Sequence, residues 1–92
     1  MNLEWDEPKR QSTLAERGLD FADAEVIFAS KCITMPDTRR DYGEIRYLTF
    51  GELFGRLVVI SWTWRGNTVH VISMRKANEH EIKAYWQRLK QD

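Results

Sequence analysis

RLVVISWTWRGNTVHVISMRK, residues 56–76, decides the fold. From Leu57 to Trp64 the first run is apolar at nearly every position, as expected of a central strand covered on both faces. Gly66-Asn67 reverses the chain, and VHVISMR returns as the second strand of a hairpin. Its register decides which side chains act together. A two-residue loop pairs Arg65 with Thr68, puts it on one face with His70 and Met74, and sends Arg75 to the opposite face. A three-residue loop ending at Thr68 pairs Arg65 with Val69. It gathers Ser61, Thr63, Arg65, Ser73 and Arg75 on one polar surface and leaves Val58, Ile60, Trp62, Ile72 and Met74 for helices to cover. The second separates polar from apolar residues better and is the expected register.

Upstream, Leu3 and Trp5 flank Glu4 in a short strand, and Asp6 with Pro8 opens a helix over 7–17 that Gly18 ends. Asp20 caps a second helix whose Phe21, Ala24, Ile27 and Phe28 recur at helical spacing and belong in the core. A strand over 32–35, a turn-rich loop and the strand EIRYLTF (44–50) precede the hairpin. Asn78 and Glu81 then form a capping box for a last helix with Ile82, Tyr85, Trp86 and Leu89 on its apolar face. The expected fold is α+β, in the order β-α-α-β-β-β-β-α. It is a small antiparallel sheet with two N-terminal helices and one C-terminal helix, gathered on one face or end.

At 92 residues the chain is expected to be a single domain over 1–92. Lys plus Arg and Asp plus Glu balance at 14 each, so any hold on a polyanion must come from a local cluster of cations. The single cysteine, Cys32, cannot form an internal disulfide. The acidic, aromatic N-terminus is unlike a signal peptide, and no apolar run approaches the ~20 residues that cross a bilayer. The expectation is cytoplasmic, with no membrane partner.

Arg65 and Arg75 are the residues with chemistry to offer. On spacing alone the plainer reading comes first, a soluble turn residue and a snorkelling strand end. On one open face, however, two guanidiniums suit a phosphodiester, because each matches phosphate oxygens with a fork of donors and neither loses its proton. Such donors favour the transition state when a 2′-hydroxyl attacks the phosphate, chemistry that needs no metal or other cofactor. No metal-ligand spacing is evident: His70 and His80 lack companions, and Asp37, Asp41 and Glu44 sit in a charged loop.

Five motifs then occur in order: LEWD-x-x-K (3–9), G-x-x-F-x-x-A-x-x-x-F (18–28), G-E-x-R (43–46), T-W-R-G (63–66) and I-S-x-R-K-A (72–77). Through them the chain resembles the BrnT family of bacterial type II toxins. The resemblance implies a RelE-like fold, metal-independent endoribonuclease activity and arrest of translation. It also implies a cognate BrnA-like ribbon-helix-helix antitoxin, with promoter DNA reached only indirectly through that antitoxin. Carried over by position, it implies roles for Arg65, Arg75, Lys9, Glu44 and Arg46; with His70 added, the expected catalytic set is Arg65, Arg75, Lys9, Glu44 and His70, with Glu44 or His70 as general base. Arg17, Arg46 and Lys76 complete an RNA-binding set. The chain departs from the family pattern at Arg17, where the family usually carries histidine, and at His70, where it often carries arginine. An arginine at 17 can bind phosphate but cannot move protons near neutral pH. The alternative is a catalytically weak toxin-fold protein acting as antitoxin-binding partner and co-repressor.

Overall fold

β4 (Arg56–Arg65) is the axis of the structure, a computed structural model that describes residues 1–91. It is flanked by β5 (Thr68–Lys76) and β3 (Tyr47–Leu53), with β2 (Ile33–Pro36) and β1 (Leu3–Trp5) at the edges, in the order β1-β5-β4-β3-β2. Val58, Ile60 and Trp62 face one way, and Leu57 and Val59 the other. All five are buried, so both faces are covered as the unbroken apolar run requires.

Two expectations about architecture are corrected. The sheet is mixed, because β1 lies parallel to β5, with Leu3, Glu4 and Trp5 opposite Val69, His70 and Val71. Three residues carry no signal of direction, and the helix that follows β1 supplies the crossover a parallel neighbour requires. The helices are also not gathered on one side. α1 (Glu7–Arg17), a 3-10 turn (Phe21–Asp23) and α2 (Ala24–Ala29) lie on the Trp62 side, whereas α3 (Glu79–Lys90) lies on the Val59 side. The second expected helix is thus split into a 3-10 turn and a short α-helix, and β3 starts at Tyr47 instead of Glu44.

Local chemistry explains the element ends. The Asp6 carboxylate accepts from the Lys9 N–H and starts α1. Asp20 accepts from the Ala22 N–H at 2.9 Å and also receives two bonds from the Arg10 guanidinium, at 2.8 and 3.0 Å. Arg10 thereby ties α1 to the 3-10 turn, which carries Phe21 into the core. Asn78 and Glu81 form the reciprocal capping box of α3.

The larger core joins Phe21, Ala24 and Ile27 to Val58, Ile60, Trp62, Val69, Val71 and Met74. Trp62 stacks on Tyr47 (centroids 4.8 Å), meets Phe28 edge-on (5.5 Å) and donates from Nε1 to Thr49 Oγ1 at 2.8 Å, so its one polar atom is satisfied. Across the sheet Phe50, Leu57 and Val59 pack beneath Tyr85 of α3, whose hydroxyl donates to the Lys31 carbonyl.

Gly51 sets how closely α2 crosses β3. A Cβ there would sit 2.8 Å from Ile27 Cγ2 and 2.9 Å from Ser30 Oγ. Gly51→Ala is therefore expected to lower unfolding free energy by about 1–3 kcal/mol, since the helix must lift off the sheet. Urea denaturation checks it: a midpoint equal to wild type would mean the helix yields without cost.

Candidate active site

The hairpin resolves its register in a way neither simple alternative allows. At the turn the loop has two residues, Gly66-Asn67, with Arg65 opposite Thr68, which corrects the expected three-residue loop. Gly66 has φ 59, the conformation that a two-residue turn with glycine at its first central position demands. Thr63 then pairs with His70 and Trp62 with Val71. Beyond them the ladder slips, and Ser61 pairs with Ser73 and Val59 with Arg75. Ile72 is the extra residue of a β-bulge. A bulge shifts the alternation by one, so Thr68 and His70 above it and Ser73 and Arg75 below it share one face with Ser61, Thr63 and Arg65.

Sharing a face is not convergence. Arg75 lies opposite Val59, six residues along β4 from Arg65, or about 20 Å at strand spacing. The two arginines therefore do not close on one phosphate, and the idea that they jointly grip a single phosphodiester is set aside. Arg75 is also engaged. Its Nη1 and Nη2 donate to the two carboxylate oxygens of Glu81 at 2.8 and 2.9 Å, and Nη1 also reaches the Lys76 carbonyl at 3.4 Å. The hydrogen bonds from Arg75 hold the Glu81 carboxyl below its usual range, and Glu81 in turn raises the Arg75 guanidinium.

Arg65 differs. It is exposed, and among the described residues it has no ion-pair or hydrogen-bond partner. Its diagonal neighbour across the ladder is His70, a spacing of about 7–8 Å between backbones that long side chains bridge. His70 Nδ1 lies 2.8 Å from Glu4 Oε2 on β1, which the parallel register sets directly beside it. The turn-side end of this face, beyond the part of β4 that α3 covers, thus carries a free guanidinium beside an imidazole held by a carboxylate.

The 37–46 loop walls the other side. Asp37 is buried, accepting from Arg39 Nε and Nη2 (both 2.8 Å), the Arg39 N–H (3.2 Å) and the Tyr42 hydroxyl (3.0 Å). Arg46 bonds Glu44 at 2.9 Å and stacks over the Tyr42 ring at 4.2 Å, while Thr63 Oγ1 donates to the Ile45 carbonyl at 2.7 Å. Asp37 N–H donates to the Arg46 carbonyl, which continues the β2–β3 ladder and sets Asp37 and Arg46 on the same face as Arg65.

The Arg39 hydrogen bonds hold the Asp37 carboxyl far below the usual carboxylate value, against the opposing pull of burial. A depressed folded value contributes stability that is complete above the unfolded Asp value of about 3.9 and fades as pH falls below it. Asp37→Asn is expected to be less stable than wild type at pH 6, with the gap narrowing steadily between pH 4 and pH 2. Urea midpoints across that range test it; a constant gap would remove the charge from the explanation.

The remaining expected site residues are placed as follows. Arg17 donates from Nη1 to the Met74 carbonyl at 2.8 Å, satisfying β5 where β1 has already ended. Lys9 is exposed on α1, behind the sheet relative to Arg65, with no side-chain bond to the hairpin among the described residues. Lys76 pairs with Val58, so it does not share Arg75's face, and it lines a groove with Arg56 and Trp86 beside α3. Glu44 is bound to Arg46 in the loop wall. Sequence reasoning missed Glu4, Arg39, Asp37 and Glu81. Glu4 had a signal as the polar residue of a short alternating strand, but its partner lies 66 positions away; Glu81 was legible as half of a capping box and not as the partner of Arg75.

A comparison with known families matches residues 5–81 to the family described as ribonuclease toxin, BrnT, of type II toxin-antitoxin system. No curated protein matches the chain.

Proposed function

The chain belongs to the BrnT ribonuclease toxins of type II toxin-antitoxin systems, and we propose that it is a metal-independent endoribonuclease acting at the turn-side end of the β4–β5 hairpin. The observation that supports this reading most is the exposed, unpaired Arg65 guanidinium diagonal to His70 at the turn-side end of the hairpin. RNA supplies its own nucleophile. Attack of a 2′-hydroxyl on the neighbouring phosphorus loads negative charge on the phosphate oxygens, and a fixed guanidinium stabilises that charge more than the ground state. Arg46 and Arg75, on the same face but held by Glu44 and Glu81, would act on flanking phosphates by exchanging a carboxylate for the backbone. In this reading Arg17 supports the strand edge, and Lys9, Lys76 and Glu44 take no part in bond breaking.

The biological setting follows as part of the same proposal. Cleavage of messenger RNA in the cytoplasm would arrest translation, and a BrnA-like ribbon-helix-helix antitoxin would neutralise the toxin by covering Arg65 and His70. The succession of two N-terminal helical segments, four consecutive antiparallel strands and a C-terminal helix supports a RelE-like reading of the fold.

The test is cleavage of end-labelled RNA by purified protein in excess EDTA. Fragments ending in 2′,3′-cyclic phosphate are expected. Intact RNA at stoichiometric, well-folded protein would overturn the proposal. It would favour the second reading, a partner and co-repressor with little catalysis. The occupation of Arg75 and Arg46 by the protein's own carboxylates motivates that alternative.

A further inference from the structure

Glu4 and His70 meet on the side of the sheet that Arg65 occupies, and their pairing fixes more than a contact. A carboxylate only accepts hydrogen bonds, so at 2.8 Å from Glu4 Oε2 the His70 Nδ1 must carry a proton. In the neutral ring the lone pair then lies on Nε2. Among the described residues Nε2 makes no hydrogen bond, yet no buried side-chain nitrogen or oxygen there lacks a partner. Nε2 therefore meets solvent, although the His70 side chain as a whole is only 15% exposed. The ring is held on one edge and open on the other.

We propose that Glu4 is a positioning residue that locks His70 in the Nδ1–H tautomer, making Nε2 the proton acceptor for the attacking 2′-hydroxyl. This rests on the ribonuclease reading above. As the O2′–P bond forms, Nε2 takes the hydroxyl proton; as the P–O5′ bond breaks, the 5′-oxygen takes a proton from water. The resulting hydroxide is neutralised by the proton on His70, so the products are a cyclic phosphate and a free 5′-hydroxyl, with no redox change. Geometry favours this assignment over Glu44, which is tied to Arg46 in the loop. Glu4 from β1 bonds the imidazole and Arg65 lies diagonal to it on β4, while Arg46 and the Asp37–Arg39 pair of the loop, and Arg75 with Glu81, share the same face.

Two measurements on the full chain test the assignment separately from the reaction. In steady-state RNA cleavage, Glu4→Gln should lower kcat about 10–100-fold with KM within about twofold of wild type, as loss of an orienting partner does. Glu4→Asp should recover part of it, and Glu4→Gln added to His70→Gln should cost nothing further. In ring-nitrogen NMR, with the second histidine removed as His80→Gln for assignment, wild type should show a protonated Nδ1 and a bare Nε2. Glu4→Gln should show a mixture of tautomers. Wild-type kcat in Glu4→Gln, with cleavage intact, overturns the role of Glu4 and leaves the ribonuclease reading standing. A tautomer unaffected by Glu4→Gln overturns it by the other route. Absent cleavage by wild type together with the expected tautomer overturns the ribonuclease reading, and the base role with it.

Discussion

Arg65→Ala protein is expected to cleave RNA about 10²–10³-fold more slowly than wild type and to unfold at the same urea concentration. The first half follows from the cost of removing one preorganised donor to a developing oxyanion, about 3–4 kcal/mol. The second follows from exposure: Arg65 touches no carboxylate among the described residues, and such surface changes are commonly worth less than about 0.5 kcal/mol. Few positions here separate activity from stability so well. Arg75→Ala would not, because it strips the partner from Glu81, which is also half of the α3 capping box. Arg65→Lys sharpens the test. A lysine keeps the charge but loses the two-pronged geometry, so it should fall between wild type and alanine. Cleavage rates on labelled RNA, together with growth on induction, read both variants. Equal rates for Arg65→Ala and wild type would leave the hairpin tip as a soluble turn and nothing more.

The sequence declares what local chemistry controls. Asp6, Asp20, Asn78 and Glu81 cap the segments their spacing assigns to them, and β4 lies in the middle of the sheet as its unbroken apolar run requires. What stays hidden depends on long-range pairing. The bulge at Ile72 has no residue signature, since isoleucine fits an ordinary strand position. Without it, polar segregation argues for a three-residue loop; with it, a two-residue turn and that same segregation coexist. The shared face of Arg65 and Arg75 was thus expected from a register that does not occur. Their separation along the strand shows only once Arg75 is counted against Val59.

Two further placements show the same limit. Glu4 meets His70 only because three residues of β1 pair in parallel with β5, and parallel pairing leaves no mark in a segment so short. Arg17 is legible as a cation at the end of α1, yet its use is to satisfy the Met74 carbonyl at a strand edge that β1 does not reach. Histidine at position 17 is too short to make that bond in the same way. The residue that departs from the family pattern therefore has a structural task here.

Phe21→Ala is expected to lose about 3–5 kcal/mol of unfolding free energy, the usual cost of truncating a buried phenylalanine. Phe21 is 1% exposed and belongs to the cluster that joins the helices to Val71 and Met74 of β5. Total stability for a chain of 92 residues is roughly 5–14 kcal/mol, so this single change removes a large share of it. Tm should fall by more than about 10 °C. The 3-10 turn has no means to fill the gap, because Asp20 just before it is pinned by Arg10 and Ala24 just after it is fully buried. Loss of toxicity in Phe21→Ala would therefore arise without any change to the active face. Two observations separate it from Arg65→Ala: cleavage per folded molecule should stay near wild type at low temperature, and a bound protein partner should restore much of the lost Tm by mass action. A thermal midpoint within a few degrees of wild type would mean that the 3-10 turn does not anchor the helices to the sheet.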